Sequence, residues 1–166
     1  MNKQYLSGFA AILIALLIIA PSIAGATSKT GCTASDYETV TACQAKDILE
    51  NKHVFLLDVR TPAEYNYSHI EGATLIPLKN VPAHDSVSLP DDQLLPNRLK
   101  ELPENKNTKI VVYCLSGGRS TIASQMIADA GYKNVYNVQG GLKAWVNAGY
   151  PVVIDPVKWL ASYPPN

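Results

Sequence analysis

The chain has 166 residues, with 14 basic and 14 acidic side chains and a hydrophobic content of 47%. This length fits one domain with a sizeable core plus terminal extensions. The balanced charge, without any block of one sign, argues against nucleic acid or an acidic membrane surface as a partner.

The N-terminus has the pattern of an export signal. Residues 9–20 form an almost unbroken apolar run, and Ala24-Gly25-Ala26 matches the small-x-small site of a signal peptidase. We therefore predict a signal peptide at residues 1–26, with an uncleaved membrane anchor as the alternative. In both cases we expect export to the periplasm or the cell surface, with residues 27–36 as a polar tether.

Export affects how the three cysteines are interpreted. In an oxidising compartment Cys32 and Cys43 are close enough in sequence to pair, which leaves Cys114 as the odd thiol. The Cys32–Cys43 disulfide is a hypothesis.

Strand and helix patterns alternate along the rest of the chain. Strands are predicted at residues 37–40, 54–57, 73–78, 110–113 and 135–138. Helices are predicted at residues 42–50 with Thr41 as N-cap, from Thr61-Pro62, from about 96, at 120–130 with Gly131 as the stop, and at 142–148. This alternation is typical of an α/β domain with a parallel sheet and right-handed crossovers. Asp58 and Cys114 each follow a strand, so we expect both at the carboxyl edge of the sheet.

The most informative stretch surrounds Cys114. Apolar β-type residues end at this cysteine, a Gly-containing loop follows, and a helical pattern begins. Such a loop presents backbone N–H groups and the positive end of a helix dipole, which together with Arg119 favour a thiolate. The sequence therefore predicts a nucleophilic cysteine in an anion-binding loop, with an ordinary buried strand-end cysteine as the alternative.

Three separated stretches resemble the rhodanese (sulfurtransferase) family. They are LDVRTPAEY with HIEGA at residues 57–73, CLSGGRS at 114–120, and VQGG continuing through Trp145 at 138–152. The resemblance implies a single-domain rhodanese at residues 37–153, with a five-stranded parallel sheet flanked by helices on both faces. Residues 154–166 are then a C-terminal extension.

The resemblance also implies a chemistry. Cys114 would take a sulfane sulfur from a donor such as thiosulfate and pass it from a persulfide to a thiophilic acceptor such as cyanide or a thiol. The substrate-binding residues would be those of the loop, with Arg119 attracting an anionic donor: Leu115, Ser116, Gly117, Gly118, Arg119 and Ser120. Four residues would support the site from outside the loop. Asp58 and Arg60 would form an ion pair and hydrogen bonds that fix the rim, Glu64 would join them, and His69 is expected to be structural.

Other functions fit the sequence pattern less well. Related phosphatases and arsenate reductases use a seven-residue loop from cysteine to arginine, whereas Cys114 to Arg119 spans six. The shorter loop argues against both of these activities. An exported, non-catalytic module that binds or relays sulfur to a partner protein is the main alternative. No metal-ligand cluster, nucleotide loop or Cys-x-x-Cys motif occurs, so no metal and no cofactor is expected. We expect a monomer that meets a membrane only through an uncleaved N-terminus. Glu64 and Ser116 stand where the two-domain thiosulfate enzymes carry basic residues, which leaves the physiological donor open.

Overall fold

The computed structural model of the protein describes residues 36–81 and 88–154. The predicted signal peptide or anchor, the tether up to residue 35, Cys32 and the extension beyond residue 154 lie outside these ranges. Cys43 is exposed, and its pairing with Cys32 stays a prediction. Across the described ranges, no helix combines the length and apolar character needed to cross a membrane.

Seven strands and five α-helices lie along the described chain. The strands are β1 Glu38–Val40, β2 Val54–Asp58, β3 Ser68–His69, β4 Thr74–Leu75, β5 Lys109–Tyr113, β6 Asn134–Val138 and β7 Val153–Ile154. The helices are α1 Ala42–Leu49, α2 Pro62–Tyr67, α3 Leu95–Arg98, α4 Gly118–Asp129 and α5 Gly141–Asn147. Five of the strands form a parallel sheet in the order β1-β6-β5-β2-β4, which confirms the predicted fold class.

The central strand β5 separates two hydrophobic layers. Successive side chains of a strand point to opposite faces, so Ile110 and Val112 pack into the layer that contains α4. Val111 and Tyr113 pack into the opposite layer, with residues of α1 and α5. A strand buried on both faces explains why this segment is continuously apolar in sequence.

Side chains cap the two helices that precede and follow β2. Thr41 starts α1 and Thr61 starts α2, and each accepts a hydrogen bond from the backbone N–H three residues later. In both cases the residue at that position, Gln44 or Glu64, returns a side-chain contact to the capping residue's N–H. These capping boxes fix the direction in which each helix leaves the sheet edge.

Several boundaries differ from the predictions. The predicted strand at 73–78 is reduced to Thr74–Leu75, since Pro77 cannot donate to a ladder. The helix predicted from about residue 96 is the single turn Leu95–Arg98 between two short 3₁₀ turns. The short antiparallel ribbon of β3 and β7 was not predicted. It is only two residues long on each side, too short for an alternating pattern to be recognised.

Candidate active site

Adjacent strands place Cys114 and Asp58 at one edge of the sheet. Asp58 is the last residue of β2 and lies in register with Tyr113, the last residue of β5. Cys114 follows directly and is 1% exposed. The expectation that both residues meet at the carboxyl edge is confirmed.

The loop after Cys114 surrounds its sulfur with hydrogen-bond donors. The Gly117 N–H lies 3.1 Å from Sγ, and the Ser120 hydroxyl lies 3.6 Å from it. Burial by itself would raise the pKa of the Cys114 thiol. The Ser120 hydroxyl and the N–H groups of Ser120, Ser116 and Gly117 outweigh burial, so the pKa is lowered. The direction predicted from the sequence is therefore correct.

Gly117 makes the tight turn possible. Its φ of +101° lies in the left-handed region that glycine tolerates best, and it immediately precedes α4. This conformation starts α4 at Gly118, two residues earlier than the sequence pattern predicts, and turns the Gly117 N–H towards the sulfur.

The start of α5 supports the loop from behind. The Leu142 N–H donates to the Cys114 carbonyl at 2.7 Å, and the Lys143 N–H donates to the Leu115 carbonyl at 3.1 Å. Gly141 lies so close that a Cβ there would overlap the Cys114 carbonyl. The Gly-Gly pair was visible in the sequence, but its role as the backing of the cysteine loop was missed.

Arg119 is bound to Glu64 rather than free. Two guanidinium nitrogens lie 2.6 Å from the two Glu64 oxygens, and both side chains are largely buried. Burial would raise the pKa of Glu64, but Arg119 and the Thr61 N–H lower it to about 2. The sequence placed Glu64 with Asp58 and Arg60 and treated Arg119 as an attraction for an anionic donor. In the structure Glu64 pairs with Arg119 and the pair carries no net charge, whereas the attraction of an anionic donor by Arg119 stays a prediction.

The second ion pair agrees with the prediction. Arg60 donates from Nε and Nη2 to the Asp58 carboxylate at 2.6–3.0 Å, and both side chains are buried. Arg60 Nη2 also donates to the Ser68 carbonyl at 2.6 Å. The pair therefore joins the end of β2 to the end of α2 and fixes the wall of the site.

The comparisons with known proteins agree with this geometry. Residues 41–148 match the family described as Rhodanese-like domain. The chain belongs to the rhodanese family. It is 33% identical over 106 residues to a protein named "Sulfurtransferase" from Allochromatium vinosum, covering 64% of this chain and 84% of that one. It is 34% identical to "Thiosulfate sulfurtransferase 18" of Arabidopsis thaliana, covering 72% and 85%.

A solved structure extends the similarity to three dimensions. The rhodanese-related protein from Thermoplasma volcanium superposes with a TM-score of 0.56 at 27% identity, covering 72% of this chain and 100% of that chain. The five-stranded sheet and its helices are thus those of a rhodanese domain.

His69 lies at the corner between α2 and the small ribbon of this rhodanese domain. Its ring stacks on Tyr65 with centroids 3.9 Å apart, and Nδ1 lies 2.9 Å from the Tyr65 carbonyl oxygen. The Tyr65 hydroxyl in turn donates to the Ala73 carbonyl at 2.7 Å. These contacts fit the structural role expected for His69.

Two shallow hollows flank the cysteine loop and meet at Leu115. The first has a volume of about 310 Å³ and is lined by Arg60, Ala63, Glu64, Tyr67, Ser68 and Leu115. The second, of about 250 Å³, is lined by Leu115, Leu142, Lys143, Val146 and Asn147. Within residues 36–81 and 88–154, no cluster of three potential metal ligands occurs.

Proposed function

We propose that this rhodanese domain is a sulfurtransferase that carries sulfur as a persulfide on Cys114. The observation that carries the proposal is the environment of the sulfur. A buried thiol with a lowered pKa faces the Gly117 N–H and the Ser120 hydroxyl at the carboxyl edge of the parallel sheet. A thiolate held in this way is a nucleophile, and the same donors stabilise a persulfide anion.

The proposed transfer has two steps. The Cys114 thiolate attacks the outer sulfur of a donor such as thiosulfate, the S–S bond of the donor breaks, and sulfite leaves with the bonding electrons. The enzyme then carries a persulfide anion. A nucleophile such as cyanide or another thiolate attacks the terminal sulfur, and the original thiolate leaves, which predicts ping-pong kinetics.

Thiosulfate is proposed as a donor in solution, with the physiological donor unassigned. One relative bears the name thiosulfate sulfurtransferase, which supports this donor class by similarity. The neutral Glu64–Arg119 pair argues for a modest affinity, because it offers an incoming dianion little net attraction. A thiol on a small molecule or on a partner protein is the proposed acceptor in the cell.

The test is turnover by cysteine variants. The protein is supplied with thiosulfate and cyanide, and thiocyanate is followed for the unaltered chain, Cys114→Ser and Cys43→Ser. Cys43 is the matched control because it is a second cysteine of the described residues, exposed on α1 and outside the 114–120 loop. We expect thiocyanate from the unaltered chain and Cys43→Ser, and none above background from Cys114→Ser.

Two results would contradict the proposal. Equal turnover by Cys114→Ser would exclude the persulfide route. No thiocyanate from the unaltered chain, combined with sulfur retained on the protein, would favour the alternative of a module that relays sulfur to a partner.

We also propose that the domain is exported, on the pattern of residues 1–26. The full chain expressed in a bacterium is fractionated, and the mass of the product is measured. Cleavage after Ala26 with recovery from the periplasm is expected, and an intact chain in the cytoplasm would contradict export.

A further inference from the structure

A chain of hydroxyl and amide hydrogen bonds lies behind the cysteine loop. Ser120 Oγ is placed to donate to two acceptors, Cys114 Sγ at 3.6 Å and the Gly117 carbonyl at 3.0 Å. A hydroxyl has one proton, so it donates to one of these acceptors at a time. Whether the sulfur receives that proton depends on which other donors form hydrogen bonds to the Gly117 carbonyl oxygen.

Thr121 donates two hydrogen bonds to the Gly117 carbonyl oxygen. Its backbone N–H lies 3.0 Å from that oxygen, and its hydroxyl donates to the same oxygen at 2.9 Å. A carbonyl oxygen has two lone pairs. Because both lone pairs accept from Thr121, the Ser120 hydroxyl forms its most favourable hydrogen bond with the sulfur of Cys114.

Asn137 fixes the direction of the Thr121 hydroxyl. This residue of β6 is 4% exposed, and its Nδ2 donates to Thr121 Oγ1 at 3.2 Å. Because Oγ1 accepts from the amide, its own proton is directed away from Asn137 and towards Gly117. Each group therefore donates to the next, from Asn137 on β6 through Thr121 on α4 to the Gly117 carbonyl of the loop.

We propose that Thr121 and Asn137 are positioning residues that commit the Ser120 hydroxyl proton to the sulfur of Cys114. Neither residue touches the sulfur. They act by filling the competing acceptor, so that Ser120 stabilises the thiolate and, in turnover, the persulfide anion. The role in turnover rests on the proposed function, whereas the effect on the thiolate does not.

The test is a titration of the Cys114 thiolate that needs no sulfur transfer. Ultraviolet absorbance of the thiolate is followed against pH in the full chain with Cys32→Ser and Cys43→Ser, and Cys114→Ser supplies the blank. The variants are Thr121→Val, which keeps the shape but removes the hydroxyl, and Thr121→Ser, which keeps the hydroxyl. Among the described residues, charged groups on the elements around the loop are Arg119 on α4, Glu64 on α2, Asp58 at the end of β2, Arg60 after it and Lys143 on α5. None of them is altered.

We expect Thr121→Val to raise the titration midpoint by about one pH unit, as partial loss of a hydrogen bond to a charged group implies. Thr121→Ser is expected to keep the original midpoint. Thr41→Val, which removes the cap of α1, controls for loss of stability and is expected to leave the midpoint unchanged.

Ser120→Ala completes the test, because the proposal requires Thr121 to act through Ser120. Ser120→Ala is expected to raise the midpoint, and adding Thr121→Val is expected to raise it no further. An unchanged midpoint in Thr121→Val, an equal shift in Thr121→Ser, or additive shifts in the double variant would each overturn the proposal. A shifted midpoint in a chain that transfers no sulfur would uphold it and count against the proposed function instead.

Discussion

Glu64 and Arg119 face each other across the first turns of α2 and α4, with both pairs of nitrogen and oxygen atoms 2.6 Å apart. The pair joins the helix after β2 to the helix that starts at the cysteine loop. It therefore both fixes the loop and cancels the charge of the loop's arginine.

The first prediction concerns this cancelled charge. Glu64→Gln keeps a side chain able to cap Thr61 but leaves Arg119 without its carboxylate. We expect the KM for thiosulfate to fall about five-fold, which corresponds to roughly 1 kcal/mol of Coulomb attraction at a partly exposed site. Arg119→Ala leaves the carboxylate unbalanced and is expected to raise the KM.

Glu101→Gln is the control for this comparison. It makes the same change in net charge, but Glu101 pairs with Arg98 in a separate, more exposed ion pair outside the cysteine loop. Its KM is expected to equal that of the unaltered chain. A KM that is unchanged or higher in Glu64→Gln would show that the pair does not tune donor binding.

The second prediction is a loss of stability in acid. The pKa of Glu64 is about 2 in the folded protein and near its ordinary value of 4.5 when unfolded. The unfolded state therefore takes up a proton first as the pH falls. The stability that this group contributes is complete above about pH 5 and is lost as the pH falls through the folded pKa.

Urea unfolding at about pH 6 and about pH 3 measures this loss. The unaltered chain is expected to lose more free energy of unfolding between the two values than Glu64→Gln does. Equal losses in the two proteins would mean that Glu64 does not have the lowered pKa.

The third prediction concerns the buried pair of Asp58 and Arg60. Asp58→Asn leaves the Arg60 guanidinium buried without a counter-charge, and we expect a loss of about 3–5 kcal/mol in the free energy of unfolding. Glu101→Gln, which breaks an exposed ion pair, is expected to change stability little. Similar small effects for both variants, measured by urea unfolding, would contradict the assigned role of Asp58 in fixing the site wall.

The fourth prediction separates backbone strain from contact with the loop. Gly131 and Gly141 both have positive φ, but a Cβ meets nothing within 4 Å at Gly131 and overlaps the Cys114 carbonyl at Gly141. Gly131→Ala is expected to lower the free energy of unfolding by roughly 1–2 kcal/mol and to leave the rate of sulfur transfer unchanged. Gly141→Ala is expected to lower kcat about a hundred-fold by displacing the loop. A normal kcat in Gly141→Ala would show that α5 does not hold the loop in place.

Patterns of local sequence predicted most of the architecture. The apolar run before Cys114 predicted a central strand, and Thr41 and Thr61 predicted the starts of two helices, because these signals depend on residues close in sequence. Gly131, with φ of +93°, lies just after α4 as expected. The lowered pKa of Cys114 followed from the order of strand, loop and helix.

Contacts between distant residues could not be obtained in this way. Glu64 and Arg119 are 55 positions apart, so their pairing depends on how α2 and α4 leave the sheet. The path from Asn137 to Thr121 likewise requires β6 to lie beside α4. Nothing in the spacing of these residues indicates such contacts.

The most direct test of the central claim is the mass of the protein after exposure to thiosulfate alone. The account predicts that one sulfur atom is added per chain, that peptide mapping places it on Cys114 rather than Cys43, and that cyanide removes it. Sulfur located on Cys43, or a chain with no added sulfur, would contradict the account.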